Sequence, residues 1–279
     1  MSVLQDNCTG RHFWVMSSLK NKRIVIKLGT STLTMGKSQL NRAHMLEIVR
    51  SVVDLINQDT QVILVSSGAM AAGREVMNFP NLPKDMCYKQ MLSSVGQARL
   101  MEEWARLFGI YSLKVGQILI TRADLEIRER YLNVRDTLFA MLEMGVIPII
   151  NENDAVSISQ IKVGDNDTLS AISSLLVDAD KLLLLTDQKG LYSSDPRTDP
   201  DARLIPAVDT IDEHIVKISG GSGTALGTGG MATKIKAARI ATKAGIEMII
   251  ASGATPELIR DYLSGKAEST RFLPAVKPV

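Results

Sequence analysis

Arg23–Thr34 reads RIVIKLGTSTLT. The first residues form an apolar, β-branched run with no polar alternation until Lys27. Such a run suits a strand buried on both faces, as in a parallel sheet. It ends at a lysine and a glycine, then gives way to hydroxyl-bearing residues. Lys27 at the end of a buried strand would be costly without an anion beside it. That anion could be a bound ligand or a carboxylate in a structural salt bridge. Gly29, Thr30 and Ser31 follow with amides and hydroxyls able to face a ligand.

The same pattern recurs along the chain. QVILVSS, LKVGQILIT, VIPIIN, DKLLLLTD and EMIIASG read as further buried strands. Between them lie amphipathic stretches. Met45, Ile48, Val49, Val52, Val53 and Ile56 keep helical spacing. Leu92, Val95, Leu100, Trp104 and Leu107 suit a longer helix, with Gly96 as a weak point. Tyr131, Val134, Leu138, Met141 and Leu142 suit a third. Strands alternating with helices predict an α/β fold with a mostly parallel sheet covered on both faces. Polar residues gather where these strands end: Lys27 and Gly29, Ser66 and Ser67, Thr121, Asn151 to Asp154, Thr186 and Asp187, and Ser252. Ligands of parallel α/β sheets bind outside the carboxyl ends of the strands, although strand ends also meet polar turns for structural reasons.

A chain of 279 residues with 45% hydrophobic and 22% charged residues can bury a sizeable core and is not disordered by composition. The net charge of +2 gives no ground for nucleic acid or an anionic membrane as the main partner. Cys8 and Cys87 lack metal-ligand spacing, so a reducing compartment without a disulfide framework is expected, with no protein-held metal site. His12, His44 and His214 are scattered and support neither a zinc site nor a Ser-His-Asp triad. The stretch before Arg23 lacks the long apolar core of a signal peptide and is expected to be a mobile tail. No apolar run reaches membrane-spanning length.

LGTGGMATKIKAA, Leu226 to Ala238, carries three glycines and then Lys234 at the start of a helical pattern. The glycines allow close backbone approach, the helix start offers unpaired amides, and Lys234 adds a charge, so phosphates fit. A flexible loop before an ordinary helix would look similar. It is not a Walker A loop. VGDNDTLSAIS places Asp165, Asn166 and Asp167 before a helical run. Asp167 is a fair N-cap by residue type. Asp165 could hold two lysines by sharing its charge, and Asn166 could bind a ligand through its amide. Asp154, past the strand in INENDAV, could take a ligand's ammonium or serve as a turn acid. VSSGAMAAGRE offers a further helix start, with Ser66 or Ser67 as a simple N-cap in the alternative reading. Two lysines, several helix starts, a few carboxylates and no general base suit phosphoryl transfer to an acceptor that is already ionised.

These stretches carry a resemblance. VIKLGTSTLT, LNRAH, VSSGAMAAGRE, SVGQARL, TRAD, YLNVRDTL, PIINENDAV, IKVGDNDTLSA, ADKLLLLTDQKGLY, DPR and LGTGGMATK resemble the amino acid kinase family from about Arg23 to Gly265. NENDAV together with IKVGDNDTLSA resembles the glutamate 5-kinase branch rather than acetylglutamate, aspartate or UMP kinases. The resemblance implies a three-layer αβα sandwich, with amino acid bound by the N-terminal part and ATP by the C-terminal part. It divides the chain into an extension over 1–22, one kinase domain over 23–265 and a tail over 266–279. It implies that Lys27 and Lys234 stabilise the transferring phosphoryl group while Asp165 orients them. Ser67, Asp154 and Asn166 match the positions that hold glutamate. Thr186 and Asp187 match nucleotide contacts, and Thr228, Gly229, Gly230, Met231, Ala232, Thr233 and Lys234 match the ATP loop.

The implied reaction makes γ-glutamyl phosphate from L-glutamate and ATP with Mg²⁺, the first step toward proline, in the cytoplasm. The resemblance further implies inhibition by proline near 155–164, a glutamyl phosphate reductase downstream, and a homo-oligomer, dimer or tetramer. The C-terminal PUA domain of many bacterial members is expected to be missing, and Gln160 stands where relatives can carry a carboxylate. A kinase of the same fold acting on another acid, or a non-catalytic amino-acid sensor, are the competing expectations.

Overall fold

The computed structural model describes residues 22–83, 85–157, 166–220 and 230–274. Its first half runs β1 (Lys22–Leu28), α1 (Thr30–Thr34), α2 (Arg42–Ile56), β2 (Thr60–Ser66), α3 (Ala69–Val76), α4 (Met86–Gly109), β3 (Lys114–Ile120), α5 (Arg122–Glu126), α6 (Arg128–Glu143) and β4 (Val146–Glu152). The second runs α7 (Asn166–Leu176), β5 (Lys181–Thr186), β6 (Ala207–Val208), α8 (Glu213–Ile218), α9 (Met231–Lys243), β7 (Glu247–Ser252), a 3-10 turn (Pro256–Leu258), α10 (Ile259–Ser264) and β8 (Thr270–Phe272).

The strands form one sheet in the order β3-β4-β2-β1-β5-β7-β8-β6. The six strands from β3 to β7 in that order are parallel to their neighbours. β8 runs antiparallel to β7, and β6 parallel to β8. All six strands expected from the sequence are present. β8 lies beyond Gly265, the expected end of the folded unit, and is hydrogen-bonded into the sheet through Thr270–Phe272.

Side-chain alternation splits the core in two. Ile24, Ile26 and Leu28 of β1 pack on one side with Met45, Ile48 and Val52 of α2, Trp104 and Phe108 of α4, and Ile259 and Tyr262 of α10. Val25 points to the other side, with Leu169 and Leu176 of α7 and Ile235, Ala238 and Ala241 of α9. Leu183 and Leu185 of β5 join the first layer, Leu182 and Leu184 the second. This is the period of two that a strand imposes. It yields the three-layer αβα sandwich, and it has one consequence for chemistry. Lys27, two residues after Val25, belongs to the α7 and α9 side.

Gly96 is not the weak point its helix propensity suggested. A Cβ there would stand 1.8 Å from Ala69 O, and one on Gly73 would stand 1.9 Å from Leu92 O. The two glycines let α3 and α4 touch backbone to backbone, which no other residue permits. That contact fixes the start of α3 and with it the end of β2.

Candidate functional site

The carboxyl ends of the parallel strands lie along one edge of the sheet, and the polar residues predicted there converge. Lys27, last but one in β1, is 7% exposed, and Lys234, in the first turn of α9, is 5% exposed. Both reach Asp167 of α7, which is fully buried. Lys27 Nζ lies 2.6 Å from Asp167 Oδ1, and Lys234 Nζ lies 3.1 Å from Oδ2. Thr233 donates its hydroxyl to the same Oδ2 at 2.8 Å. Burial alone would raise the Asp167 pKa. The ammonium groups of Lys27 and then Lys234, with the hydrogen bonds from Lys27 and Thr233, outweigh burial and hold it below the ordinary carboxylate value.

The sequence pointed to Asp165 as the residue between the lysines and to Asp167 as a cap. Asp165 lies outside the described residues, and Asp167 holds both lysines. The reason is packing. α7 starts at Asn166, so Asp167 sits inside its first turn on the same face as Ser170, Ala171 and Ser174. These small residues bring that face close to α9 and β1 and bury it. The spacing of small residues three, four and seven positions after Asp167 was the signal for its burial.

A gap lies over the Lys27 ammonium. A Cβ on Gly29 would stand 3.6 Å from Lys27 Nζ, and 3.7 Å from both Leu185 O and Ser31 Oγ. Among the described residues it would touch no protein atom too closely, and it would stand beside the Lys27 ammonium. Leu185 precedes Thr186, whose hydroxyl donates to Asp187 Oδ1 at 2.9 Å. Thr186 is buried and Asp187 exposed. The Thr186 carbonyl accepts from Gly253 N at 2.7 Å, tying the ends of β5 and β7 together. Gly230 is the N-cap of α9, with no side chain bonded to it as a cap. The amides at this helix start suit an anion. Met231, Ala232 and Thr233 form the first turn. Thr228 and Gly229 lie outside the described residues.

Two of the predicted amino-acid residues, Ser67 and Asn166, bond to each other beside the end of β1. Ser67 N donates to Leu28 O at 3.0 Å, which places Ser67 against the end of β1. Neither Ser66 nor Ser67 caps α3. Gly68 does so at φ 101, a conformation open to glycine, and without a side-chain bond. Ser66 Oγ instead accepts from Trp104 Nε1 at 3.1 Å. Asn166 Nδ2 donates to Ser67 Oγ at 2.7 Å and to Asn151 Oδ1 at 3.0 Å. Asp154, half-buried, lines a cavity of 310 Å³ with Ser93, Gln97, Gln117 and Glu152. Ser93 Oγ is buried there and has no hydrogen-bond partner among the described residues. Cavities of this size take small ligands. Gln97, Gln117 and Ser93 escaped the sequence reading, because a glutamine or serine within an amphipathic helix or strand carries no motif.

The geometry admits one kind of chemistry readily: two buried cations at the carboxyl ends of the strands, beside the start of α9. The comparisons with known proteins agree with it. The model of the amino acid kinase family matches residues 22–252. The chain belongs to the amino acid kinase family. It is 59% identical over 251 residues to a glutamate 5-kinase of Vibrio campbellii, covering 90% of this chain and 66% of that one. A glutamate 5-kinase of Photobacterium profundum is 59% identical over 256 residues, covering 92% and 68%. The chain thus spans about two thirds of the length of these curated relatives. Among solved structures, carbamate kinase from Giardia lamblia bound to AMP-PNP superposes with a TM-score of 0.65 at 15% identity, over 91% of this chain and 99% of that one. An isopentenyl phosphate kinase of T. acidophilum does so at 0.61 and 17%, over 90% of this chain and 100% of that one. At such identities these structures speak for the fold alone. Among the described residues, no helix is long and apolar enough to cross a membrane.

Proposed function

We propose that this chain transfers the γ-phosphoryl group of ATP to the γ-carboxylate of L-glutamate, giving L-glutamyl 5-phosphate. The observation that carries the reading is the convergence of Lys27 and Lys234 on the two oxygens of Asp167. The similarity to glutamate 5-kinases supplies the acceptor. A γ-carboxylate oxygen attacks Pγ, the bond from Pγ to the β,γ-bridging oxygen breaks, and ADP leaves. The acceptor is already ionised, so no base is required. The obstacle is repulsion between anions, and buried cations lower it where the charge shifts in the transition state.

In this reading Lys27 and Lys234 act on the phosphoryl oxygens, and Asp167 positions both. The start of α9, from Gly230 to Lys234, takes the phosphates, and Thr186 and Asp187 face the nucleotide. Ser67, Asn166 and Asp154 hold the amino acid. The Asp167 oxygens are taken by lysines and Thr233, so that carboxylate fits a lysine holder better than a metal ligand. Mg²⁺ fits as a passenger on the ATP phosphates, its usual mode of binding, and supplies further charge neutralisation there.

The acyl phosphate product hydrolyses readily, which calls for a glutamyl phosphate reductase to consume it on the way to proline. Inhibition by proline near 155–164, a cytoplasmic setting and a homo-oligomer belong to the same proposal. The test incubates the protein with MgATP, L-glutamate and hydroxylamine. ADP and the γ-hydroxamate should appear in equal amounts. Aspartate and N-acetylglutamate should give far less. Preference for either would assign another acceptor, and ligand binding without ADP would indicate a sensor.

A further inference from the structure

Trp104 is fully buried on α4, about two turns after Gly96. Its ring packs beside Phe108, with centroids 6.1 Å apart. By burial it is ordinary core, but its nitrogen is put to use. Trp104 Nε1 donates to Ser66 Oγ at 3.1 Å. Ser66, the last residue of β2, is also fully buried. Ser66 Oγ in turn donates to the Ser67 carbonyl at 3.0 Å.

The direction of this relay follows from the donor. An indole N–H only donates, so Ser66 Oγ must accept from it. The single hydroxyl hydrogen of Ser66 then needs an acceptor, and the Ser67 carbonyl supplies one. The relay holds no amide that could be turned end for end. The indole also keeps the Ser66 side chain in the rotamer that reaches this carbonyl. Without it, a buried hydroxyl would lose a donor and have other staggered positions to turn to.

Ser67 is therefore held through both of its peptide groups. Its N–H donates to Leu28 O at 3.0 Å, at the end of β1. Its C=O accepts from Ser66. The chain then turns through Gly68, at φ 101, into α3. The bond to the carbonyl sets the Ser67–Gly68 peptide and so the course of that turn. Strand alternation sends the Ser67 side chain to the side opposite Ser66 and Trp104. There Ser67 Oγ accepts from Asn166 Nδ2 at 2.7 Å.

We infer that Trp104 is a positioning residue for the amino-acid substrate. Through Ser66 and the Ser67 carbonyl it fixes the backbone that carries the Ser67 hydroxyl. The inference rests on the glutamate-phosphorylating reading, in which Ser67 holds the amino acid. Trp104 itself acts from the other side of the strand end, two hydrogen bonds away.

The experiment measures KM for L-glutamate and for MgATP by hydroxamate formation, with glutamate binding followed by calorimetry. Wild type must first form the hydroxamate. If it does not, the proposed function fails, and this inference falls with it before any variant is compared. If it does, the variants decide the inference alone. Trp104→Phe keeps an aromatic ring and removes the donor. It is expected to raise the glutamate KM about fivefold, the scale of one hydrogen bond, and to move the MgATP KM by less than about twofold. Ser66→Ala is expected to do the same. The double variant should do no more than either alone, because one relay can be broken only once. In a Ser67→Ala background, Trp104→Phe should change the glutamate KM by less than about twofold. A tryptophan that only fills space predicts a lower Tm with the glutamate KM unchanged, or equal rises for both substrates. Either result overturns the inference, as do additive effects in the double variant. Should Trp104→Phe fail to fold, Ser66→Ala carries the test, alone and in the Ser67→Ala background. An unchanged glutamate KM in Ser66→Ala overturns the inference equally.

Discussion

Asp167→Asn removes the carboxylate that Lys27 and Lys234 share among the described residues and changes almost nothing in volume. The contacts at 2.6 and 3.1 Å correspond to attractions of about 6 and 5 kcal/mol at an effective dielectric of about 20. Desolvation of three charges offsets much of this, so the net worth of the trio is small. Taking away only the anion is different, because the cations stay buried. Such removals cost about 3–5 kcal/mol. Against a typical total of about 5–15 kcal/mol, that is a large fraction, and for a domain of this size it lowers Tm by about 10 °C. Urea unfolding at pH 7.5, followed by circular dichroism, measures it. MgATP should narrow the gap between variant and wild type, since phosphates return negative charge to the lysines. The gap should also shrink in acid. The folded-state pKa of Asp167 is lowered, so its stabilisation is fully present above the ordinary value of 3.8 and is lost as pH falls through the folded-state value. A loss below about 1 kcal/mol, insensitive to MgATP, would refute the claim that Asp167 holds both charges.

Two further outcomes follow from neighbouring residues. Among the described residues Gly29→Ala meets no protein atom closer than 3.6 Å, and Gly29 has φ −73, which alanine adopts freely. The variant should keep the wild-type Tm while losing at least about tenfold in kcat/KM for ATP; unimpaired turnover would mean that the gap over Lys27 is not the path of the phosphoryl group. His44 is buried, bonded through Nε2 to Gly253 O at 2.7 Å, and burial lowers its pKa from the ordinary 6.5 despite that bond. Its stabilising effect is therefore complete above pH 6.5 and fades as pH falls through the lowered value, with a slope of at most about 1.4 kcal/mol per pH unit. His44→Gln, which keeps a donor for Gly253, should lack that component between pH 6.5 and 5; an identical slope in both proteins would assign the pH dependence elsewhere.

Much of this architecture could be read from residue patterns. β1, β2, β4, β5 and β7 announced themselves because each is buried on both faces and so reads as a near-continuous apolar run, and the partly exposed edge strand β3 did so through its apolar end at Ile118–Ile120. β6 and β8 did not, being two and three residues long with polar members such as Thr270 and Arg271. Their place in the sheet is set by pairing with distant chain rather than by local preference. Lys27 and Lys234 were legible because a charge at the end of a buried strand or in a glycine-rich helix start demands an explanation. That Asp167 holds both lysines was not legible from residue type. It depends on where α7 begins, and one residue of helix turns a side chain by about 100°. The cavity residues Ser93, Gln97 and Gln117 were also hidden, since they come from separate elements, α4 and β3, and each is unremarkable in its own.

The account stands on two ammonium groups serving one phosphoryl group. The most direct measurement is kcat for Lys27→Met and Lys234→Met at saturating MgATP and L-glutamate, with circular dichroism to confirm the fold. Each substitution should lower kcat at least about a hundredfold, the usual scale for one group that stabilises transition-state charge, with smaller changes in KM. A variant of either lysine that folds and keeps the wild-type kcat would contradict the account.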